Sequence, residues 1–386
     1  MRNDGSTAAS LARWTACVVA AAFSAWAAAP LKAQATYTGA VLYPLTIPSG
    51  FESSLPVVIG SPGSSIAGQT VGAAYAPAGQ NALIWSANSV INLNPTGYQT
   101  SIVAATDGTQ QFGNALVEPN QEHVLLWSGS AQAFVDLTPS GATSAGAEGM
   151  SSTQQVGFVG NSAYVWSGTA ASAVDLAPAG YTGSEARGTN GSQQVGWALD
   201  SAGMHAMLWS GSAATAVKLD PPGSTSSQAV GISPSGNQQV GNGILSGATS
   251  EHALMWSGTS ASTVDLNPAG ASSSYAVGTN GADQIGYIIS GSNDEAYLWS
   301  GSAASAVNLQ SLLPETDAWT SSMPSSIDAS GNVFGTAVGT VNGVTGTYAV
   351  EWAAPVPEPA MLPCLAIIGA VLLSRRRRSV PRRCAE

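Results

Sequence analysis

Residues 275–309, "YAVGTNGADQIGYIISGSNDEAYLWSGSAASAVNL", contain four strand-like runs separated by short links rich in Gly and Ser. YAVG and QIGYII flank Asn280-Gly281, a dipeptide that favours a tight β-hairpin because both central residues of such a turn take positive φ. AYLW and AVNL follow after two further links. Asp107-Gly108 and Asn190-Gly191 occupy the same place in other units. Four antiparallel strands in about 40–45 residues are typical of one β-propeller blade.

Two sequence features recur seven times along the chain and indicate seven repeats. The third run of each unit ends in Trp, and in the first six units it is apolar throughout, which is typical of a strand covered on both faces. We therefore predict that the repeat Trp residues form the core. The second feature is a Gly in the second run, preceded by Gln-Gln-Val in three units and by related residues in the other four. The residues are Trp85, Trp127, Trp166, Trp209, Trp256, Trp299 and Trp352, and Gly72, Gly113, Gly157, Gly196, Gly241, Gly286 and Gly335.

The last unit lacks its fourth run, because prolines follow soon after Trp352. At the N-terminus, "VLYPLTIPSGF" (41–51) has Leu45, Pro48 and Gly50, which correspond to the Leu, Pro and Gly that end the fourth run in complete units such as "DLTPSG" (136–141). Residues 41–47 are thus predicted to complete the last blade, which removes open sheet edges. The sequence predicts an all-β, seven-bladed β-propeller of four-stranded antiparallel blades, closed by this N-terminal strand. A stacked β-helix is the alternative, although its coils are usually shorter.

Residues 1–35 have the features of a secretory signal peptide. Arg2 and Arg13 precede or flank an apolar run, and Ala33-Gln34-Ala35 forms an A-x-A cleavage site. This order predicts export, with cleavage by signal peptidase after Ala35 and residues 36–355 as the repeat domain. A buried N-terminal helix is the alternative interpretation.

Residues 356–386 contain three features in a fixed order, namely Pro357-Glu358-Pro359, an apolar segment at 360–373, and the basic block Arg375, Arg376, Arg377 and Arg378. About fourteen residues of helix span some 21 Å, less than a ~30 Å hydrocarbon core, so a permanent anchor would be marginal. The basic block favours the cytoplasmic side, which leaves the domain outside.

This order resembles the PEP-CTERM sorting signal of Gram-negative bacteria. The resemblance implies recognition by an exosortase, a membrane cysteine protease-transpeptidase, with transient anchoring in the inner membrane. It also implies cleavage near Pro357 and release or transfer to the cell surface. The tail "SVPRRCAE" after the basic block is longer than is usual for such signals. The alternative is a simple C-terminal membrane anchor.

The central domain is strongly acidic and has no cysteine. Nine of the 11 basic residues and three of the 22 acidic residues lie in the terminal segments, so residues 36–355 have two basic and 19 acidic residues and a net charge of −17. Phosphate backbones would be repelled, so nucleic-acid binding is disfavoured. All three cysteines lie in the terminal segments, which leaves packing and ring closure to stabilise the domain.

The repeats also resemble the HAF family of bacterial extracellular repeats. The similarity is clearest at "QEHVLLWSG", "MHAMLWSG" and "EHALMWSG", which are followed by VDL or VKL. The His is replaced by Asn81, Ser162, Glu295 and Tyr348 in the other units, and the family's Phe is absent. The resemblance implies a surface or secreted location and assigns no catalytic residues.

Several residues are candidates for ligand chemistry. His123, His205 and His252 each precede their Trp by four positions, which suits either a metal or ligand site at the axis or, in the favoured interpretation, strand ends at solvent. The aspartates of the VDL runs suit either a calcium ring or, preferably, outer-strand positions that alternate with buried Val and Leu. Trp197 and Trp319 do not occupy the repeat position of the seven motif Trp residues and are candidates for ligand contact. The aspartates are Asp136, Asp175 and Asp265.

Residues 36–355 contain no G-x-S-x-G, H-E-x-x-H or phosphate-binding loop. Carboxylates that face each other across a propeller mouth would suit glycoside chemistry, and the candidates are Glu118, Glu122, Asp294 and Glu295. We predict a non-enzymatic exported protein of the cell surface or extracellular matrix, with extracellular polysaccharide as a candidate partner and no catalytic residue, cofactor or metal assigned. The alternative is an exported propeller lyase or hydrolase that acts on glycans.

Overall fold

The computed structural model describes residues 37–45, 49, 51, 53–59, 70–77, 79–86, 88–117 and 121–355, with residues 53–59 as backbone only. Tyr37–Ala354 form one compact unit of seven four-stranded antiparallel sheets, which confirms the seven-bladed β-propeller. The predicted signal peptide, Glu118 and residues 356–386 lie outside the described residues. No helix in the described ranges is both long and apolar enough to cross a membrane.

Blades 1 to 6 each run in chain order from the innermost to the outermost strand. Blade 1 consists of β2 (Ser53–Ile59), β3 (Thr70–Ala76), β4 (Gly79–Ser86) and β5 (Ser89–Asn92); blade 2 of β6 (Thr100–Thr106), β7 (Gln111–Val117), β8 (Gln121–Ser130) and β9 (Ala133–Asp136); and blade 3 of β10 (Ala145–Met150), β11 (Gln155–Val159), β12 (Ser162–Trp166) and β13 (Val174–Asp175).

Blade 4 consists of β14 (Gly183–Thr189), β15 (Gln194–Asp200), β16 (Gly203–Trp209) and β17 (Val217–Lys218); blade 5 of β18 (Ser226–Ile232), β19 (Gln239–Ile244), β20 (His252–Trp256) and β21 (Val264–Asp265); and blade 6 of β22 (Ser274–Thr279), β23 (Gln284–Ser290), β24 (Asn293–Trp299) and β25 (Val307–Asn308). Short 3-10 turns occur at Ala170–Ser172, Ala213–Thr215, Ser260–Ser262, Ala303–Ser305 and Gln310–Leu312.

Blade 7 is completed by the N-terminal strand. Three of its strands come from the C-terminal part of the domain, namely β26 (Ala318–Ile327), β27 (Val333–Val341) and β28 (Val344–Ala353). The fourth is β1 (Thr38–Pro44), which pairs antiparallel with β28. The closing strand thus begins three residues before the predicted range 41–47. A bulge between Val41 and Tyr43 shifts the register, and the Leu45 N–H donates to the carbonyl oxygen of Thr347 at 3.0 Å.

The core is a ring of clusters, each shared by two adjacent blades. All seven repeat Trp side chains are at most 1% exposed. In each cluster the Leu that follows the fourth strand of one blade packs with the Trp of the next, as Leu137 does with Trp166. Leu45 packs with Trp85 in the same way, so the closing strand supplies the packing residue that the last unit lacks.

The outermost strands differ from the predicted alternation of buried Val and Leu. The Leu is buried, and its N–H bonds to the third strand, as from Leu137 to the Val124 carbonyl at 2.8 Å. In blades 2 and 3, however, the Val faces solvent, since Val135 is 45% exposed and Val174 40% exposed, whereas Val264 of blade 5 packs against the core. The prediction was therefore wrong for the Val of blades 2 and 3, because the outermost strand lies at the open edge of its blade and the Leu that follows it makes the contact with the neighbouring blade.

The first hairpin of a blade is also built differently from the predicted two-residue turn. In blade 6, β22 ends at Thr279 and β23 begins at Gln284, so four residues form the turn. The Asn280 side-chain oxygen accepts the N–H groups of Ala282 and Asp283, at 3.0 and 2.9 Å. Gly281 alone takes positive φ, at 98°. Asn is therefore used for its side-chain acceptor and not for a left-handed backbone.

The Gln-Gln pair that precedes the motif Gly connects neighbouring blades. The Gln194 side-chain oxygen accepts the Gly211 N–H of its own blade at 2.8 Å, and its side-chain nitrogen donates to Gln154 of the preceding blade at 2.9 Å. Gln284 makes the same two contacts, with Gly301 and Gln238. The recurrent dipeptide is thus part of a hydrogen-bonded link between sheets, and it satisfies buried polar groups.

The motif Gly is required by a bulge in the innermost strand. Each innermost strand has a register shift opposite this Gly. In blade 5 the shift lies between Ala229, which pairs with Gly241, and Gly231. The bulged backbone approaches so closely that a Cβ on Gly241 would lie 2.0 Å from the carbonyl oxygen of Gln228. In blade 6 a Cβ on Gly286 would lie 1.9 Å from the carbonyl oxygen of Tyr275. A side chain at either position would therefore collide with backbone atoms.

Candidate functional site in the axial channel

The innermost strands of blades 2 to 7 line a cavity of about 380 Å³ at the propeller axis. A β-bulge places two residues opposite one and redirects the extra side chain. In all six of these blades the residue at the bulge lines the cavity, so the repeated bulge determines which side chains face the axis. The bulge residues are Ala104, Glu148, Arg187, Val230, Val277 and Ser325.

Two of these residues are charged and belong to adjacent blades. Glu148 lies on β10 and Arg187 on β14, and Arg187 is the only arginine in residues 36–355. The Arg187 Nε lies 2.8 Å from the Glu185 Oε1, which is an ion-pair distance, although the N–H is not aligned for a hydrogen bond. The channel wall therefore contains the Arg187 guanidinium and the Glu148 carboxyl group, and Arg187 is also ion-paired with Glu185, which does not line the cavity.

Glu148 has an unusual carboxyl group. Burial and, to a smaller extent, the neighbouring Glu185 raise the pKa of Glu148 while Arg187 lowers it, and together they bring this pKa to about 7. Within the described ranges the Glu148 carboxyl forms no hydrogen bond or ion pair. A carboxyl group with a pKa near neutrality can donate a hydrogen bond when protonated and accept one when ionised. The channel therefore changes its charge close to pH 7.

The rest of the wall is mainly apolar and includes Thr106, Thr189 and Thr279, whose hydroxyl groups each donate to a backbone carbonyl of the hairpin turn that follows. The inner strands of neighbouring blades also meet closely, since a Cβ on Gly188 would lie 2.6 Å from the carbonyl oxygen of Val230 in the next blade. Small-molecule sites are typically preformed cavities of roughly 300–1,000 Å³ with a few polar groups on an apolar wall. The channel has these properties.

The three histidines do not form a shared site, because each pairs with aspartate in its own blade. The Nδ1 atoms of His123 and His252 lie 2.6 and 2.9 Å from side-chain oxygens of Asp136 and Asp265. These contacts join the third strand to the fourth. The recurrent His and Asp of the sequence motif are thus a cross-strand pair.

His205 contradicts the interpretation that these histidines are strand ends at solvent, since it is 5% exposed. Its Nδ1 lies 2.5 Å from Asp220 and its Nε2 lies 2.9 Å from Asp200. The bond with His205, followed by that with the Ala202 N–H, lowers the pKa of Asp200. The ring can be buried because carboxylates satisfy both of its nitrogens.

The aspartates of the VDL runs cap the turns that follow them. The Oδ1 atoms of Asp136, Asp175 and Asp265 each accept the backbone N–H two residues further along, at 2.8 to 2.9 Å. In the described part of the chain, no group of three or more His, Cys, Asp and Glu side chains has an arrangement that could hold a metal ion.

Trp319 lies in a separate cleft of about 280 Å³ that also contains Glu295 and Asp317. Its Nε1 donates to the carbonyl oxygen of Pro314 at 3.2 Å, and its ring contacts Tyr348 edge-on at 5.9 Å. Trp197 is half-buried and lies opposite Glu185 in the β14–β15 register.

The candidate carboxylates are each held within one blade. Glu122 accepts a hydrogen bond from Asn114 at 3.2 Å in blade 2, and Glu295 accepts one from Asn308 at 2.7 Å in blade 6. Asp294 precedes Glu295 on β24. None of these contacts joins carboxylates of different blades.

Sequence analysis missed Glu148, Glu185 and Arg187. A signal was present, since "AGAEGM" and "SEARGT" have charged residues where the corresponding runs "SQAVGI" and "SYAVGT" have neutral ones. A charge that interrupts an otherwise neutral repeat position indicates a local function. The sequence did not reveal the bulge that directs Glu148 and Arg187 to the axis.

The blade arrangement is similar to that of propellers of known structure. The β-propeller domain of the Trilobed protease from Pyrococcus furiosus is 8% identical, with a TM-score of 0.51 over 78% of this chain and 96% of that domain. A puromycin hydrolase mutant complexed with PGG is 13% identical, with a TM-score of 0.50 over 82% of this chain and 57% of that one. TolB from Acinetobacter baumannii is 11% identical, with a TM-score of 0.43 over 63% of each chain.

This chain therefore spans less than two thirds of the length of TolB and of the puromycin hydrolase. At these identities the likeness shows the fold alone. The Pyrococcus domain has an open velcro topology, whereas β1 pairs with β28 in this protein. No protein-family model and no curated protein matches the sequence.

Proposed function

We propose that this protein is an exported, non-enzymatic binding protein of the cell surface or extracellular matrix, and that its propeller binds a small ligand or polymer segment in the axial channel. The observation that carries the proposal is the preformed cavity of about 380 Å³ with Glu148 and Arg187 in its wall. The histidines, which were the other candidates for acid–base chemistry, are already bonded to aspartates within their own blades.

Export and processing by an exosortase belong to the same proposal. They are supported by the A-x-A site that ends at Ala35, and by the resemblance of residues 356–386 to PEP-CTERM sorting signals. Because all seven hydrophobic clusters lie within Tyr37–Ala354, cleavage at both sites would leave the core complete.

Processing is tested by intact-mass and terminal-peptide measurements on protein made in a Gram-negative host with and without an exosortase. We expect a mature N-terminus at Thr36 in both hosts, and a C-terminus near Pro357 only when the exosortase is present. Replacing Pro357-Glu358-Pro359 by alanines should abolish the second cleavage and leave the first unchanged. The same C-terminus in both hosts would contradict the assignment.

A second candidate function is an exported lyase or hydrolase that acts on glycans. The observation that favours it is Glu148, because a carboxyl group with a pKa of about 7 in the wall of a cavity can serve as a general acid or base. Glu148 is a better candidate than Glu122, Asp294 or Glu295, whose structural contacts do not bring together carboxylates of different blades.

A glycan array probed with residues 36–355, together with a polysaccharide-degradation assay on every glycan that binds, distinguishes the two functions. We expect retention of bound glycan without new reducing ends or unsaturated products. Product formation that disappears in Glu148→Gln would support the enzyme and overturn the non-enzymatic proposal. If the parent domain and the Glu148→Gln variant both bind a glycan and neither degrades it, lyase or hydrolase activity is excluded for the glycans tested.

A further inference from the structure

The bulge ring places one cation and one carboxyl group side by side in a wall that is otherwise neutral. The four other described bulge residues, Ala104, Val230, Val277 and Ser325, carry no charge. Residues 36–355 have only two basic side chains, and Lys218 lies on the outer strand β17 while Arg187 lies in the channel. The single guanidinium of an acidic domain is thus located where a ligand would enter.

We propose that the axial channel binds the carboxylate group of a small organic acid, with Arg187 and Glu148 as its two polar contacts. This inference rests on the proposed binding role and names its ligand class. Arg187 supplies a planar fork of N–H donors that matches a carboxylate. Its only ion pair among the described residues is through Nε to Glu185, so that contact does not occupy the terminal nitrogens.

Glu148 supplies the second contact in its protonated form. A carboxylic acid in an apolar wall can donate an O–H hydrogen bond to a ligand carboxylate, whereas the ionised form would repel it. The charged groups that act on Glu148 are Glu185 and Arg187 from β14; β10 itself has no other charged residue. The inner strand of the preceding blade, β6, has none.

The charge of the domain explains why such a site must be enclosed. A net charge of −17 disfavours anions at the outer surface, and solvent screens surface charges over about 8–10 Å. Inside the channel Arg187 is the only basic residue in the described lining, so a ligand carboxylate would be bound there rather than at the outer surface. A free organic acid and an acidic sugar share the carboxylate that the site would recognise.

The pH dependence has a definite sign. The pKa of Glu148 is about 7, so the protonated, binding-competent form predominates below this pH and is lost above it. Affinity for a carboxylate should consequently be about tenfold weaker at pH 8 than at pH 6, and binding at pH 7 should take up about half a proton. A cationic ligand would show the opposite trend, because it would prefer the ionised carboxyl group.

The test is isothermal titration calorimetry of residues 36–355 with galacturonate and lactate, with galactose and galactosamine as the matched neutral and cationic probes. Measurements at pH 6 and pH 8, and in buffers with different ionisation enthalpies, give the affinity and the proton uptake. We expect one or both acids to bind, and galactose and galactosamine to bind at least tenfold more weakly. Binding of both acids indicates a general carboxylate site, and binding of galacturonate alone indicates a sugar-acid site.

Three variants locate the site. Arg187→Lys keeps the charge but loses the fork, and should weaken acid binding by about 10- to 100-fold. Glu148→Gln keeps a hydrogen-bond donor but cannot ionise, so its affinity should be the same at pH 6 and pH 8. Lys218→Gln removes the only other basic charge of residues 36–355 and should bind as the parent does.

Three results would overturn the inference: no binding of either acid, affinity that rises with pH, or unchanged binding by Arg187→Lys. The proposed binding function is tested separately by the glycan array. If a glycan binds on the array equally well to the parent, to Glu148→Gln and to Arg187→Lys, the proposed binding function stands and the carboxylate site in the channel is rejected. Acid binding with the expected pH dependence but no array hit would support the channel site alone.

Discussion

A protein that lacks residues 38–45 is expected to aggregate and to lose its cooperative unfolding transition. The deletion removes β1 and Leu45, so the ten-residue strand β28 keeps β27 on one side but loses its partner on the other. An unpaired strand edge of this length is a template for association with other chains. The deletion also removes Tyr43 and Leu45, which are 6% and 5% exposed, and burial of such side chains contributes about 1.5–3 kcal/mol each.

Calorimetry and size-exclusion chromatography measure this effect. The matched control is a protein that lacks only residues 1–36. It keeps the whole of β1 and should unfold as the parent does. Leu45→Ala gives a graded version, with an expected loss of about 2–5 kcal/mol, because Leu45 packs with Trp85 across the closure. If the truncated domain remained monomeric and melted like the parent, β1 would not be needed to close the ring.

Gly241→Ala is expected to destabilise the domain at or above the upper end of the ~1–3 kcal/mol that is typical of overpacking. The new Cβ would lie 2.0 Å from the carbonyl oxygen of Gln228, and backbone on both strands would have to move. The movement would disturb the bulge at Val230 and thus the wall of the channel. Gly286→Ala should behave similarly, since its Cβ would meet the Tyr275 carbonyl oxygen at 1.9 Å.

Chemical denaturation of both variants measures the loss. Gly247→Ala is a useful control, because its φ is 82° and no atom lies within 4 Å of the new Cβ. Only the cost of a left-handed backbone applies there, about 1–2 kcal/mol. A loss at Gly241 no greater than at Gly247 would show that the bulge tolerates a side chain, and would leave the recurrence of this Gly without a steric reason.

The repeat pattern predicts most of the fold because its features report local requirements. A continuous apolar run that ends in Trp indicates a strand covered on both faces, and the Trp residues are buried in this way. The fourth-strand element at residues 41–51 predicted closure, although it did not predict the bulge between Val41 and Tyr43 that allows Leu45 to reach Trp85. The turn at Asn280 was predicted in the right place with the wrong geometry, because its side chain, rather than positive φ, closes the turn.

The candidate site was less accessible to sequence reasoning. His205 looks like the other motif histidines in sequence, but Asp200 and Asp220 satisfy it at distances that only the folded chain defines. Glu148 and Arg187 are separated by 39 positions and belong to adjacent repeats. Each interrupts an otherwise neutral repeat position, but the sequence does not show that the two side chains line the same cavity.

The sequence by itself determined the number of blades, the ring closure and the acidic charge of the domain, because periodicity, apolar runs and composition are properties of the chain. Tertiary structure alone decided which side chains face the axis. Side chains of a regular strand alternate between its faces, but a bulge changes that alternation locally, and seven such bulges meet around one axis only when the ring is closed. Glu148 and Arg187 become a channel pair, and Glu148 acquires its raised pKa, through this packing of adjacent blades.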